Sequence, residues 1–157
     1  MQRANMQKII VLTLLLLALG FCLQAQTGIY DLAYGMPYSE VLSTIEAESY
    51  ELAETDSNTC TFVRLEGENE LIVTTYLEPE NKTLVAWDCL MPLYDGVEDD
   101  TVNWLMDLHG EEPDYDEETD TLKWTFSVTR WVRLGYDISG DYVRISYIDL
   151  DYIDIWN

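Results

Sequence analysis

A general base, a thiol nucleophile, a metal cage and a carboxylate pair each need particular side chains at particular spacings, and this chain holds fragments of each. His109 is the single histidine. It stands just before Gly110 in the last turn of an expected helix, where a cation complements the helix dipole, and that reading outweighs a catalytic base. With one histidine and two separated cysteines, Cys60 and Cys89, the chain lacks the N/S ligand set of a zinc site, and a Cys–His nucleophile pair has nothing behind it beyond the residues existing. Asp114, Asp116, Glu117, Glu118 and Asp120 offer the oxygens that Ca²⁺ takes. Their order is not the Asp-x-Asp-x-Asp-Gly loop, so a solvated acidic turn is the simpler reading. Asp149, Asp151 and Asp154 have the spacing of acids along a strand, and paired carboxylates serve hydrolysis. With 30 Asp+Glu, some pair meets a suitable spacing by chance. No catalytic residue, metal site or cofactor is expected, and the chain reads as non-enzymatic.

The few cations form a sharper pattern. Leu122, Trp124, Phe126 and Val128 alternate with Lys123, Thr125 and Ser127, and the alternation continues through Val132, Leu134 and Tyr136 and then Val143, Ile145 and Tyr147. Alternate residues of a strand point to opposite faces. Lys123, Arg133 and Arg144 all have the parity opposite to the apolar set, as do Trp131 and Tyr142, so these five are expected on one exposed sheet face. Trp, Tyr and Arg on a flat surface is the composition of binding hot spots. The plainer alternative is that the cations pair with neighbouring acids on a solvated face while Trp131 covers sheet edge.

Two helices must position these strands. Tyr38, Val41, Leu42, Ile45 and Ser49 fall along one face of a 3.6-residue helix, entered through Gly35, with Pro37 in the first turn and Glu40 at the positive end of the dipole. Turn clusters at 56–58, 66–69 and 78–81 then separate β-rich segments over 59–65, 71–77 and 83–90. A second helix carries the stripe Val97, Thr101, Trp104, Leu105 and Leu108, begins at an Asp95-x-x-Glu98 capping box and stops at Gly110 and Pro113. Helix followed by strands thus occurs twice, over about 34–91 and 94–150. Laying Val41 on Val102 puts Leu71 on Val132 and Val73 on Leu134. The expected fold is α+β: an antiparallel sheet with two helices packed on one face, with the pattern of a tandem repeat. The tail from 152 to 157 is left open between a last strand and a docking segment, through Ile153, Ile155 and Trp156.

The chain opens with an apolar run from Ile9 behind Arg3 and Lys8, and Leu23-Gln24-Ala25 precedes a cleavage point at Gln26. That is the pattern of an export signal over residues 1–25, its run short of the ~20 apolar residues a membrane span needs. A buried core helix is the alternative for this run. Export to the periplasm or medium is expected. Phe21 stands where a small residue usually precedes a lipid-anchored cysteine, which ranks anchoring through Cys22 second. Residues 26–157 then form one domain, and the 8 Lys+Arg of the whole chain fall to 6 against the 30 acids, a net −24. Such a charge excludes a nucleic-acid partner, whose phosphates call for Lys and Arg. Aromatic and β-branched residues interleaved with the acids mark a folded, acid-coated domain rather than a disordered one. Cys60 and Cys89 meet an oxidising route in which a disulfide is the default. An up-down meander puts them at opposite ends of the sheet, well over ~10 Å apart against the ~7 Å a bridge tolerates, which favours two buried thiols.

Gly35-Met36-Pro37-Tyr38-Ser39-Glu40-Val41-Leu42 resembles the Gly-Met-(Ser/Thr)-x-x-(Glu/Gln)-Val segment of the β-lactamase-inhibitor-protein fold and of the small lipoprotein of the outer-membrane barrel-assembly machinery. Pro37 occupies the place of the capping Ser/Thr, and the second half has no Gly-Met start. The resemblance implies tandem helix-plus-sheet units and an exported module whose exposed sheet face, bearing Lys123, Trp131, Arg133, Tyr142 and Arg144, meets a protein partner. The rival expectation is a Ca²⁺-dependent carbohydrate binder or a hydrolase using the acidic turns.

Overall fold

The apolar stripe that begins at Tyr38 forms a ten-residue helix, α1 (Tyr38–Ala47), which buries Val41 and Ile45. Pro37 lies one position before the helix rather than in its first turn, and its carbonyl accepts the N–H groups of Glu40 and Val41. Ser49, at φ 66°, is part of the turn that follows and not of the stripe. Gly35, at φ 83°, donates to the Leu84 carbonyl at 2.8 Å while Leu84 N–H donates to Met36, so the helix entry is fastened to the start of a strand. This computed structural model describes residues 27–110 and 112–156. The expected export segment and Cys22 lie outside the described residues.

Eight strands follow in two groups: β1 (Glu51–Thr55), β2 (Thr59–Glu66), β3 (Asn69–Leu77) and β4 (Leu84–Pro92), then after α2 (Val97–His109) β5 (Asp114–Asp116), β6 (Thr121–Thr125), β7 (Arg130–Tyr136) and β8 (Tyr142–Asp149). Each group is an antiparallel meander, and the last strands of the two groups pair with each other, giving one sheet in the order β1-β2-β3-β4-β8-β7-β6-β5. The α+β class is as expected, with both helices packed on one face. Leu71 and Val73 lie on β3 and Val132 and Leu134 on β7, the third strand of each unit. On the helices the correspondence is one residue off, since Thr101 rather than Val102 is buried.

Rows of side chains cross the helix-bearing face in register. Phe62, Val73, Cys89, Ile145, Leu134 and Leu122 form one row, and Cys60, Thr75, Trp87, Tyr147, Val132 and Trp124 the next. Val41 and Ile45 of α1 and Val97 and Leu105 of α2 join these strand residues in a single core cluster. Cys60 and Cys89 are both buried free thiols. They sit two strands and two residues apart, not at opposite ends of the sheet, which from strand spacing is still about 12 Å and too far for a bridge.

Several local expectations fail for identifiable reasons. The capping box is not made: Gly96, left-handed at φ 90°, is the N-cap, and Val97 N–H closes the turn on the Tyr94 carbonyl. Val128 does not continue its stripe. Ser127 Oγ accepts from Thr129 and Arg130 N–H, the chain turns there, and Val128 is 93% exposed. The tail is no strand: after the turn Leu150–Tyr152 it forms a short helix, α3 (Ile153–Trp156), set against β3 and β8. Among the described residues no helix is long and apolar enough to cross a membrane.

At the seam of the two meanders Trp87 and Tyr147 face each other in register, stacked at 4.4 Å and 7°. Gly28 lies against both. Its φ of −101° suits any residue, but a Cβ there would stand 2.5 Å from Trp87 Cζ2 and from Tyr147 Cε1. Gly28→Ala is therefore expected to cost about 1–3 kcal/mol through overpacking, read as a lowered urea midpoint at unchanged slope. The Tyr147 hydroxyl accepts Ile29 N–H and lies 2.8 Å from His109 Nε2, whose ring packs on Phe126. His109 stands in the last turn of α2 as expected, but it is a partly buried partner of Tyr147 rather than a cation there, since burial pushes its pKa down to about 4. An imidazole at about 4 when folded and near 6.5 when unfolded leaves stability full above pH 6.5, falling as pH drops, and lost below 4. Discounted for the half-exposed ring, the loss is on the order of 1–2 kcal/mol. Denaturation of His109→Gln at pH 4.5 and 7 should show this drop reduced relative to the unsubstituted chain.

Candidate functional site

Residues of β6, β7 and β8 that do not enter the core emerge on the sheet face away from the helices. Lys123 pairs across with Arg133, Trp131 with Ile148, Arg144 with Gly135 and Tyr142 with Pro92, so one surface carries all five expected site residues. Each is half-buried rather than extended into solvent. They divide into two neighbouring groups.

In the first group the ring of Trp131 is the platform. Lys123 Nζ stands 4.1 Å from its centroid and Arg133 Cζ 5.5 Å, distances at which a cation is attracted by the ring. Arg133 also reaches Asp116 at 3.7 Å, a long and partly exposed ion pair. Two donors of this group, Trp131 Nε1 and Arg133 Nε, are buried without a hydrogen-bond partner among the described residues. Lys123 makes no ion pair among them.

The second group centres on Asp88, only 4% exposed although it lies on this outer face. Arg144 donates to it twice, from Nη2 to Oδ2 at 2.7 Å and from Nε to Oδ1 at 3.3 Å, and the Tyr76 hydroxyl donates to Oδ2 at 3.1 Å. Burial draws the Arg144 pKa down, but the hydrogen bonds and charge of Asp88 outweigh it and the net shift is upward. Tyr76 is pushed up by burial first and by Asp88 second. Sequence reasoning missed Asp88. Its signal was available: it is the one charged residue of β4, between Trp87 and Cys89.

The other candidates are occupied structurally. Cys89 lies in the core, where burial pushes its thiol far above the reactive range. Asp116 Oδ1 accepts the N–H groups of Glu118 and Thr119, and Asp120 accepts the Tyr115 hydroxyl. The run expected to be wholly a turn contributes its first three residues to β5. Asp149, Asp151 and Asp154 do not share a strand. Asp149 ends β8 and binds Arg130 Nε at 2.7 Å, while the other two lie in the helical tail. Among the described residues no three His, Cys, Asp or Glu are grouped to hold a metal ion.

A carboxylate as enclosed as Asp88 depends on its partner, because losing the cation leaves a buried charge unpaired. With Arg144 about one third exposed, Arg144→Met is expected to cost about 2–3 kcal/mol in urea denaturation. Adding Asp88→Asn should return part of it, so the double variant is less destabilised than the sum of the single ones. Comparison of the chain with protein-family models, with curated proteins and with solved structures finds no match in any of the three.

Proposed function

We propose that this chain is an exported, non-enzymatic protein-binding module that meets its partner through the outer sheet face, in an inhibitor-like or envelope-accessory role. The observation that carries the reading is the Lys123–Trp131–Arg133 group, an aromatic platform with two cations and two donors unpartnered among the described residues, in a chain of 30 acids and 8 basic residues. Trp and Arg are the residues that most often dominate binding energy, and a rigid sheet presents them at little entropic cost. Tyr142 and Arg144 extend the same surface. The basic start and apolar run at the N-terminus favour export, with the Cys22-anchored form ranked second. The resemblance of residues 35–42 to inhibitor and assembly-accessory segments points to the same class.

Affinity capture from the native envelope, read by mass spectrometry, supplies the partner, and a double variant tests the face. Trp131→Ala with Arg133→Ala is expected to retain the far-ultraviolet circular dichroism of the unsubstituted chain. It should bind the captured partner at least about 30-fold more weakly, the loss of a hot-spot residue. Capture at undiminished affinity by this variant would remove the outer face as the binding surface.

A further inference from the structure

On the opposite, helix-bearing side, Glu98, Asp99 and Val102 of α2 line, with residues of β5–β8, a cleft of about 260 Å³. Its floor is aliphatic, formed by Val102, Leu122, Leu134 and Val143, and its mouth carries Glu98, Asp99 and Asp120. Tyr115 and Tyr136 complete the wall, 59% and 50% exposed, their hydroxyls bound to Asp120 and Glu98. Among the described residues no Lys or Arg lines it. A second hollow of about 270 Å³ beside Tyr94 shares Glu98 and Asp99. Tyr94, 55% exposed, is part of the lining of that second hollow.

These features constrain the occupant. The volume is below the ~300–1,000 Å³ of ordinary small-molecule sites, which suits one long side chain better than a whole cofactor. An aliphatic floor under an anionic, phenol-lined mouth matches a group with a methylene stem and a cationic head, and lysine and arginine side chains have that build. The helix N-terminus brings only about half a positive charge, against three carboxylates at the mouth, so the cleft stays attractive to cations. The exposed Tyr94 ring of the adjoining hollow adds an apolar place for residues flanking the cation, which a free amine does not have.

We infer that this cleft is a second binding site, independent of the outer face, and takes the lysine or arginine side chain of a polypeptide partner flanked by apolar residues. The test uses the chain purified from its native host, ¹⁵N-labelled, in physiological salt. It is titrated with the capped peptide Leu-Lys-Leu, with its Nζ-acetylated form and with 1,5-diaminopentane. The peptide is expected to shift amides of residues 96–102, 115–122 and 134–136, with the acetylated form bound at least about tenfold more weakly. Glu98→Gln with Asp99→Asn should weaken the peptide about tenfold, since two partly exposed ion pairs are lost. Glu51→Gln with Glu54→Gln removes equal charge at the β1 edge and should leave affinity unchanged. The side-chain amide introduced by Glu98→Gln can still accept the Tyr136 hydroxyl, and the acetylated peptide tests the cleft on the unsubstituted chain. Shifts spread over the whole surface, equal weakening by the β1 variant, or equal binding of the acetylated peptide would overturn the site. Diaminopentane bound as tightly as the peptide would overturn the polypeptide as its source.

Discussion

The structure depends on the contact of Trp87 with Tyr147. Each four-stranded meander ends in a strand, β4 or β8, whose free edge must be covered, and each half has one helix to cover its apolar face. Pairing these two edges makes one continuous sheet, and the two stacked rings at the join are fully buried. Rings of this kind bury ~150–250 Å² each, so at ~25 cal/mol per Å² the pair contributes roughly 8–12 kcal/mol before ordering costs, an upper figure. Against it stands Trp87 Nε1, buried without a hydrogen-bond partner among the described residues, at about 1–3 kcal/mol. The apolar term wins by a wide margin, which explains how an orphan donor is tolerated at the centre of the molecule.

The same contact organises the chain around it. Gly28 is small because the rings leave no room for a side chain, and the Tyr147 hydroxyl gathers the N-terminal segment and the last turn of α2. Tyr34 carries the link to the far side of the second unit. Its ring packs on Trp87 at 5.0 Å, Arg130 lies over it at 4.8 Å, and its hydroxyl donates to the Ile148 carbonyl. The outer face is in turn held by fixed pairs rather than by loose side chains, so what it presents is set by the strands.

How far the sequence could be read follows from burial. The helices and β2, β3, β6 and β7 were legible because one side of each enters the core and imposes a period, while β4 and the end of β8, buried on both sides, stand out as apolar-rich runs between turn residues. β1, Glu-Leu-Ala-Glu-Thr, was not: it is exposed at all five positions, so its residues answer to the β2 backbone alone. Its acids and the irregularity between Leu52 and Glu54 suit an edge that must not recruit another strand. β5 escaped for the same reason, being three residues of an acidic run. On the candidate site, parity sufficed to put Lys123, Trp131, Arg133, Tyr142 and Arg144 on one face. Of the acids that meet them, Asp116 comes from the neighbouring hairpin of the same meander, whereas Asp88 comes from β4, joined to β8 only by tertiary register, which no local pattern encodes. The capping box failed because a left-handed glycine between Asp95 and Val97 redirects the chain before the carboxylate can reach the helix.

Register also gives the Asp88–Arg144 pair a role that its energy alone would not. A partly buried ion pair is weak evidence of stability, because desolvation offsets most of the attraction. Apolar rows alone, however, would tolerate β8 sliding along β4 by two residues, since alternation is restored after every second step. Such a slide in either direction would move Tyr147 off Trp87, and in the direction that sets Arg144 opposite Pro92 it would also leave the enclosed Asp88 carboxylate without its cation. A slide by one residue is worse, for it turns every side chain of β8 to the opposite face and drives Arg144 into the core. The ring stack and the ion pair lie on opposite faces of the same strand pair, one penalising displacement on the dry side and the other on the wet side. Together they make a single alignment of the two meanders the stable one, and that alignment is what brings the Trp131 platform and the Arg144 group side by side.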